Sequence, residues 1–311
     1  MFPKEKFMRM PLIAAAALAG AALPAGAALA QGGSARQTMT CPIGGVSFDY
    51  VVPVTTPPLG DRPDGKPYGS SAPTPLPECP TNGLVLYKDY TPDEVAKLEP
   101  LVASDRYKAL RKNDTQYYRA YWLMKEMGVP AQLSLLALLQ AGWETDGKPA
   151  LRERYLAEFA EASATAEKRP NDLRWIGMEA RAVNALRELG KFDEAKARLA
   201  EIPIASLDVK VPEGPPTDKK VGEARVRRAW FTFLSAMGPA IDRKDNSREP
   251  FDLLPRSLAL GRCLEEGTKL GEQQKAFCEK EKEEVDSLRV ARAKAEAEMK
   301  ALARSREQSG R

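Results

Sequence analysis

Between Trp175 and Pro203 the chain reads WIGMEARAVNALRELGKFDEAKARLAEIP, and that stretch admits few folds. Ile176, Ala180, Val183 and Leu186 recur at helical spacing, then a short break falls at Leu189-Gly190-Lys191-Phe192. Phe192, Ala195, Leu199 and Ile202 repeat the pattern after it. Gly190 is placed to stop the first helix, because the left-handed backbone at a helix C-terminus costs glycine nothing. Ala195 is small where two helices must approach closely, and Pro203 forbids continuation of the second. Two antiparallel helices bent at Gly190 follow. Each such pair exposes an apolar face that only a neighbour can cover.

Neighbours are present upstream. Thr91-Pro92-Asp93-Glu94 combines an N-cap, a proline in the first turn and a capping-box glutamate. It predicts a short helix to about Val102, with another opened by Ser104. Asp114 starts a helix carrying Tyr117, Tyr118, Tyr121 and Trp122 that stops at Gly128. Pro130 opens the next, with Leu133, Leu136, Leu139 and Trp143 facing inward. Gly147 breaks it, and Pro149 opens an amphipathic helix to about Lys168. The Gly190 region resembles one unit of a tetratricopeptide repeat, whose turn reads Leu-Gly-x-Tyr/Phe-x-x-Ala with Pro closing the second helix. The resemblance implies a mainly α fold of TPR-like antiparallel hairpins over residues 91–203. It implies no substrate.

At the N-terminus, Lys4, Lys6 and Arg9 precede an apolar run from Pro11 to Leu23, and Ala28-Leu29-Ala30 offers small residues where a signal peptidase reads. Residues 1–30 are therefore expected to be a signal peptide cleaved before Gln31, giving a periplasmic or secreted protein. The rival, an anchor over Leu12–Ala30, is short, rich in Ala and Gly, and broken by Pro24. No stable membrane insertion is expected after cleavage. Losing Lys4, Glu5, Lys6 and Arg9 lowers the formal charge from +4 to +2, which gives no support for nucleic-acid binding. Histidine is absent, and this excludes Ser-His-Asp and Cys-His catalysis and any imidazole metal ligand.

Residues 31–90 form a head containing two similar fragments, Cys41-Pro42-Ile43-Gly44-Gly45 and Cys79-Pro80-Thr81-Asn82-Gly83. They resemble the knuckles of a degenerate zinc ribbon in an uncharacterised bacterial family, in which Cys-Pro-x-Cys-Gly pairs precede TPR-like helices. Here Gly44 and Asn82 replace the second cysteine of each pair, and two thiolates do not complete a tetrahedral site. The resemblance thus implies a Cys41–Cys79 disulfide in place of the metal. In the chain-entropy model it would stabilise the head by roughly 3–4 kcal/mol. The alternative is two unrelated loop cysteines. Val46–Val54 and Leu84–Tyr87 are the expected strands, and residues 51–77, rich in Pro, Gly, Ser and Thr, are expected to be irregular.

A linker over residues 204–220 separates the body from a helical extension at 221–270. Arg225, Arg227 and Arg228 lie there beside Trp230, Phe231 and Phe233. A further helix from about Phe251 to Glu266 carries Cys263, and one from about Gly271 carries Cys278. A second disulfide across that hairpin is expected; its rival is one zinc site using all four cysteines. Residues 271–311 end in a charged helix with a thin seam through Val285, Leu288, Met299 and Leu302, expected to dock lightly along the stack. Tyr118 and Trp122 fit a core, whereas Tyr117 and Tyr121, with Arg225 and Arg228, are the candidate ligand groove.

Glu144 with Asp146 and Glu158 with Glu161 are carboxylate pairs that read as solvated surface. No nucleophile elbow, phosphate loop or dinucleotide fingerprint occurs. The expected protein is an exported, non-catalytic scaffold without a cofactor, binding another envelope protein or peptide. The alternatives are a carboxylate-based hydrolase or lytic enzyme of the cell envelope, and a zinc-binding protein.

Overall fold

Two short strands start the described chain. The computed structural model describes residues 35–53, 57–69, 72–265 and 269–309; the expected signal peptide and its cleavage point lie outside them. Strand β2 (Ser47–Val52) has alternating burial and pairs antiparallel with β1 (Ala35–Thr40), Thr40 opposite Ser47 and Ala35 opposite Val52. β1 is polar and lacks an apolar alternation; Asp49 ties it down, accepting from Arg36 and Thr38 at 3.2 and 3.1 Å. Leu84–Tyr87 is not a strand. Val85 makes only an isolated bridge to Glu78, because Leu84 and Val85 are committed to the helical core.

The two Cys-Pro-x-x-Gly fragments fold into matching turns. Cys41 N–H donates to Val46 O and Gly45 N–H to Cys41 O, at 2.9 and 3.2 Å. Cys79 N–H donates to Leu84 O and Gly83 N–H to Cys79 O, both at 2.9 Å. Gly45 and Gly83 sit at φ +66° and +73°, in the left-handed region that favours glycine. A buried disulfide joins Cys41 to Cys79, and Asn82 Nδ2 donates to Ile43 O at 3.3 Å across the pair. The second turn is also docked on the body: Gly83 O accepts from Tyr107 Oη at 2.8 Å and Arg119 Nη1 at 3.0 Å.

The body is a run of helices: α1 (Pro92–Ala103), α2 (Asp105–Asn113), α3 (Gln116–Glu126), α4 (Ala131–Trp143), α5 (Pro149–Ala164), α6 (Leu173–Glu188), α7 (Phe192–Leu199) and α8 (Lys219–Asp242). Thr91, Ser104, Thr115, Asp172 and Asp218 cap five of them through side-chain oxygens, satisfying N–H groups the first turn leaves open. Each helix from α3 to α8 packs on the next. Gly190, at φ +75°, is the bend between α6 and α7; Gly190 N–H donates to Arg187 O and Lys191 N–H to Leu186 O, the paired bonds of a Schellman stop. Ile176, Ala180, Val183, Ala195, Leu199 and Ile202 are all buried there.

In α4 the inward set differs from expectation. Leu135, Leu138, Leu139 and Ala141 are buried, while Leu133 and Leu136 are exposed. Seven apolar residues among Leu133–Ala141 leave the phase of the stripe undetermined, and the contacts of α3 and α5 select it. After α8, a 3-10 turn (Phe251–Leu253) replaces the first turn of the expected helix, because Pro255 interrupts it. Then follow α9 (Arg256–Glu265), α10 (Glu272–Lys280) and α11 (Lys282–Ser309). Phe251, Leu254, Leu260, Leu270 and Val285 form a second, smaller core there, locked by the Cys263–Cys278 disulfide. The main core takes Leu234, Met237 and Ile241 from α8, so α8 belongs with the body. α11 is not laid along the stack. It packs on α9 and α10 only, and past Val285 most of its residues are exposed.

The loop at residues 57–69 is irregular, as its composition predicts, yet it carries buried charge. Asp64 accepts from Arg62 Nε and Nη2 at 3.1 and 2.5 Å, from Arg152 Nη2 at 2.9 Å and from the Lys66 N–H at 3.1 Å. Arg62 extends to Asp146 at 2.9 Å, and Arg152 on α5 extends to Glu188 on α6 at 2.5 Å. Trp143 Nε1 completes the dock on Asp64 O at 3.1 Å. Burial alone would raise the Asp64 carboxyl, but hydrogen bonds and charge from Arg62 and Arg152 overcome it and hold the group below the usual carboxylate range. Asp64→Ala, which removes the buried carboxylate shared by two buried guanidinium groups, is expected to cost about 3–5 kcal/mol in urea unfolding. Because the folded-state value is depressed, the wild-type stabilisation is full above about pH 4 and lost as pH falls through the folded-state value. Asp64→Ala is therefore expected to have a flatter acid limb than the wild type.

Candidate binding groove

Alternate helices α3, α5 and α7 meet through side chains: Tyr118 of α3 stacks on Tyr155 of α5, ring centroids 4.4 Å apart, and Arg198 of α7 reaches Ala160 O of α5. A cavity of about 770 Å³ lies between α3, the start of α4 and α5, lined by Tyr121, Lys125, Ser134, Arg154 and Glu158 among others. A second, of about 560 Å³, lies between α5, α6 and α7, lined by Trp175, Leu186, Lys191, Glu194 and Arg198 among others. Ala157 and Glu161 of α5 line both, so the two form one trough along that helix. The α5 sequence explains its depth: Ala157, Glu161 and Ala164 recur at i, i+4 and i+7 and are all exposed. Small side chains there leave the trough open.

Most charges around the trough are already paired. Arg198 donates to Glu179, to Ala160 O at 2.7 Å and to Ser163 Oγ at 3.0 Å. Lys168 pairs with Glu201 at 2.6 Å, and Arg154 pairs with Asp114 while lying over the Tyr118 and Tyr155 rings. Glu158 accepts from Tyr118 Oη at 2.7 Å. Burial, then Glu158, pushes the Tyr118 and Tyr121 hydroxyls well above the usual phenol range, so both stay protonated donors. Glu161, at the junction, has no hydrogen-bond or ion-pair partner among the described residues.

The four residues expected to form a groove do not share a surface. Tyr117 is buried beneath the head, its hydroxyl donating to Thr74 O at 2.8 Å. Tyr121 is buried too, but its edge lines the larger cavity and Lys125 sits 5.1 Å over its ring. Arg225 and Arg228 are exposed on α8, which makes no contact with α3; Arg228 pairs with Asp208 and lies over Phe231. Helical spacing within α3 separates core from surface only when both flanks of the helix are known, and the head covers the Tyr117 flank.

The carboxylate pairs are also placed. Glu144 is not solvated surface: it accepts from the Tyr117 N–H at 3.0 Å, and burial raises its carboxyl. Asp146 is held by Arg62, Lys66 and Arg248. Neither lines the trough. The four cysteines are paired two by two, so a single four-cysteine metal site is not formed, and among the described residues no cluster of three acidic or cysteine side chains is suited to a metal. No family model, curated protein or solved structure matches this chain.

A difference in stability between Glu179 and Glu161 checks this division of labour. Glu179→Ala leaves Arg198 buried without its counter-charge and is expected to cost about 3–5 kcal/mol in urea unfolding. Glu161→Gln is expected to change stability by less than about 0.5 kcal/mol, as befits an exposed side chain with no partner to lose.

Proposed function

We propose that this is an exported, non-catalytic helical protein that holds an extended segment of another envelope protein in the trough along α5. The observation that carries the reading is the junction of two cavities over Ala157 and Glu161, open along a helix where Arg154, Lys168 and Arg198 are already paired with other acids. An extended chain suits a long, shallow trough between alternate helices, and stacked helical hairpins use such concave faces for binding. Glu161 would seat a lysine or arginine of the segment. The reading draws on the resemblance to tetratricopeptide repeats, which the Gly190 bend and the stacking of α3 to α7 support. The matched Cys41 and Cys79 turns support descent of the head from a metal ribbon.

Export is supported by the two disulfides, which persist in oxidising compartments. It is compatible with the finding that no helix among the described residues is long and apolar enough to cross a membrane. Recognition fits better than acid–base chemistry, because the carboxylates nearest one another are already engaged by arginine, lysine or backbone donors.

Selection of a displayed random peptide library on the folded protein tests the reading. The selected peptides are expected to carry a basic residue and to lose at least about tenfold in affinity on Ala157→Trp or Glu161→Lys, with the circular dichroism unchanged. Selected peptides that bind both variants as tightly as the wild type would place recognition elsewhere.

A further inference from the structure

A third cavity, of about 450 Å³, lies on the side of α6 away from the trough and shares no residue with it. Its walls are Pro63 of the loop, Trp230 and Phe233 of α8, and Leu253 and Leu254 of the following turn. These are apolar. Two charged groups meet them, and neither has an ion-pair partner among the described residues.

The first is Arg181. It donates one hydrogen bond, from Nη1 to Gly177 O at 2.8 Å, and has no carboxylate within ion-pair distance among the described residues. Its guanidinium lies 5.1 Å over the Trp230 ring and against Gly65. A Cβ on Gly65, which sits at φ +81°, would come within 2.3 Å of Arg181 Nε, and one on Gly177 within 2.9 Å of Trp230 Cζ2. Two glycines, one on the loop and one on the helix, thus clear the space that the guanidinium and the Trp230 ring occupy. Burial pushes its ionisation down while Asp61 and Asp64 oppose that, yet guanidinium keeps its charge. The other arginine in the wall, Arg62, is not available, because its donors are spent on Asp64 and Asp146.

The second group is Asp61, at the exposed edge of the same cavity. Its carboxylate accepts no side-chain or backbone hydrogen bond among the described residues, and Arg181 is the cation it feels most. Asp252, the other acid in the wall, is tied to Arg243. One cavity therefore offers a fork-shaped donor suited to a carboxylate, an anion suited to an ammonium, and an aromatic and aliphatic wall.

We infer that this cavity binds a free α-amino acid with an apolar side chain: its carboxylate on Arg181, its ammonium at Asp61, its side chain against Trp230, Phe233 and Leu253. A simple anion meets repulsion from Asp61, and a simple amine meets repulsion from Arg181. Only a molecule with both charges satisfies both groups. The proposal is independent of the trough and stands or falls without it.

Titration calorimetry on the folded protein, with L-leucine and L-phenylalanine as probes, tests it. Saturable one-to-one binding is expected, with phenylacetate and phenethylamine each at least about tenfold weaker than phenylalanine. Arg181→Gln is expected to weaken amino-acid binding about 10- to 100-fold, the loss of a charged hydrogen bond. Asp61→Asn sits at the edge, leaves the fold intact, and is expected to weaken phenylalanine about tenfold while leaving phenylacetate equal or tighter. No binding of either amino acid up to about 10 mM would overturn the proposal. So would equal binding of phenylacetate and phenylalanine, or an Asp61→Asn variant that binds phenylalanine as the wild type does.

Discussion

A single carboxylate, Asp64, ties a proline- and glycine-rich loop to two helices. Its oxygens receive two arginines that approach from different directions, Arg62 within the loop and Arg152 from α5, and Arg152 carries the connection on to Glu188 of α6. A segment of this composition buries little apolar surface and does not order itself by the hydrophobic effect. Order comes instead from satisfied charge. Every nitrogen of the Arg62 and Arg152 guanidinium groups finds an acceptor, the condition under which a buried ionic group is tolerated. Once the loop is fixed, the floor of the third cavity is fixed with it, since Gly65 and Pro63 are its neighbours in sequence.

The helical body rests on more ordinary terms. Caps and glycine stops delimit the helices, and apolar stripes join each to the next. These are local features with a fixed spacing, so they were legible: Thr91, Ser104 and Gly190 mark the boundaries where the chain places them. The stop at Lys244 escaped, because a lysine at φ +55° does there what glycine does at Gly128 and Gly190. Leu133 and Leu136 escaped for another reason: in a helix apolar nearly all round, the neighbours decide which face is inside.

Long-range pairing was legible only where a chemical constraint carried it. The cysteines did so: the resemblance of the two Cys-Pro-x-x-Gly fragments to paired ribbon knuckles implies the Cys41–Cys79 bond, and a helical hairpin brings Cys263 to Cys278. The arginine contacts were not, because Arg62, Arg152 and Arg181 differ from the chain's other basic residues only in what the fold places beside them. Of the residues read from sequence as a groove, Tyr121 lines the larger part of the trough, and the trough is made by α5, whose alanines carry no signal by themselves. Recognition surfaces in stacked helices come from what side chains leave empty, and emptiness does not show in a sequence.

If the Asp64 network holds the loop, the loop and the body should open together. Native-state hydrogen exchange of the Gly65, Lys66 and Tyr68 amides, compared with core amides of α5 and α6, measures this directly, since each loop N–H is hydrogen-bonded in the fold. The account predicts that the loop amides exchange with the same opening free energy and the same denaturant dependence as the helices. Loop amides that exchange through a local opening with little denaturant dependence, while α5 and α6 stay protected, would contradict it.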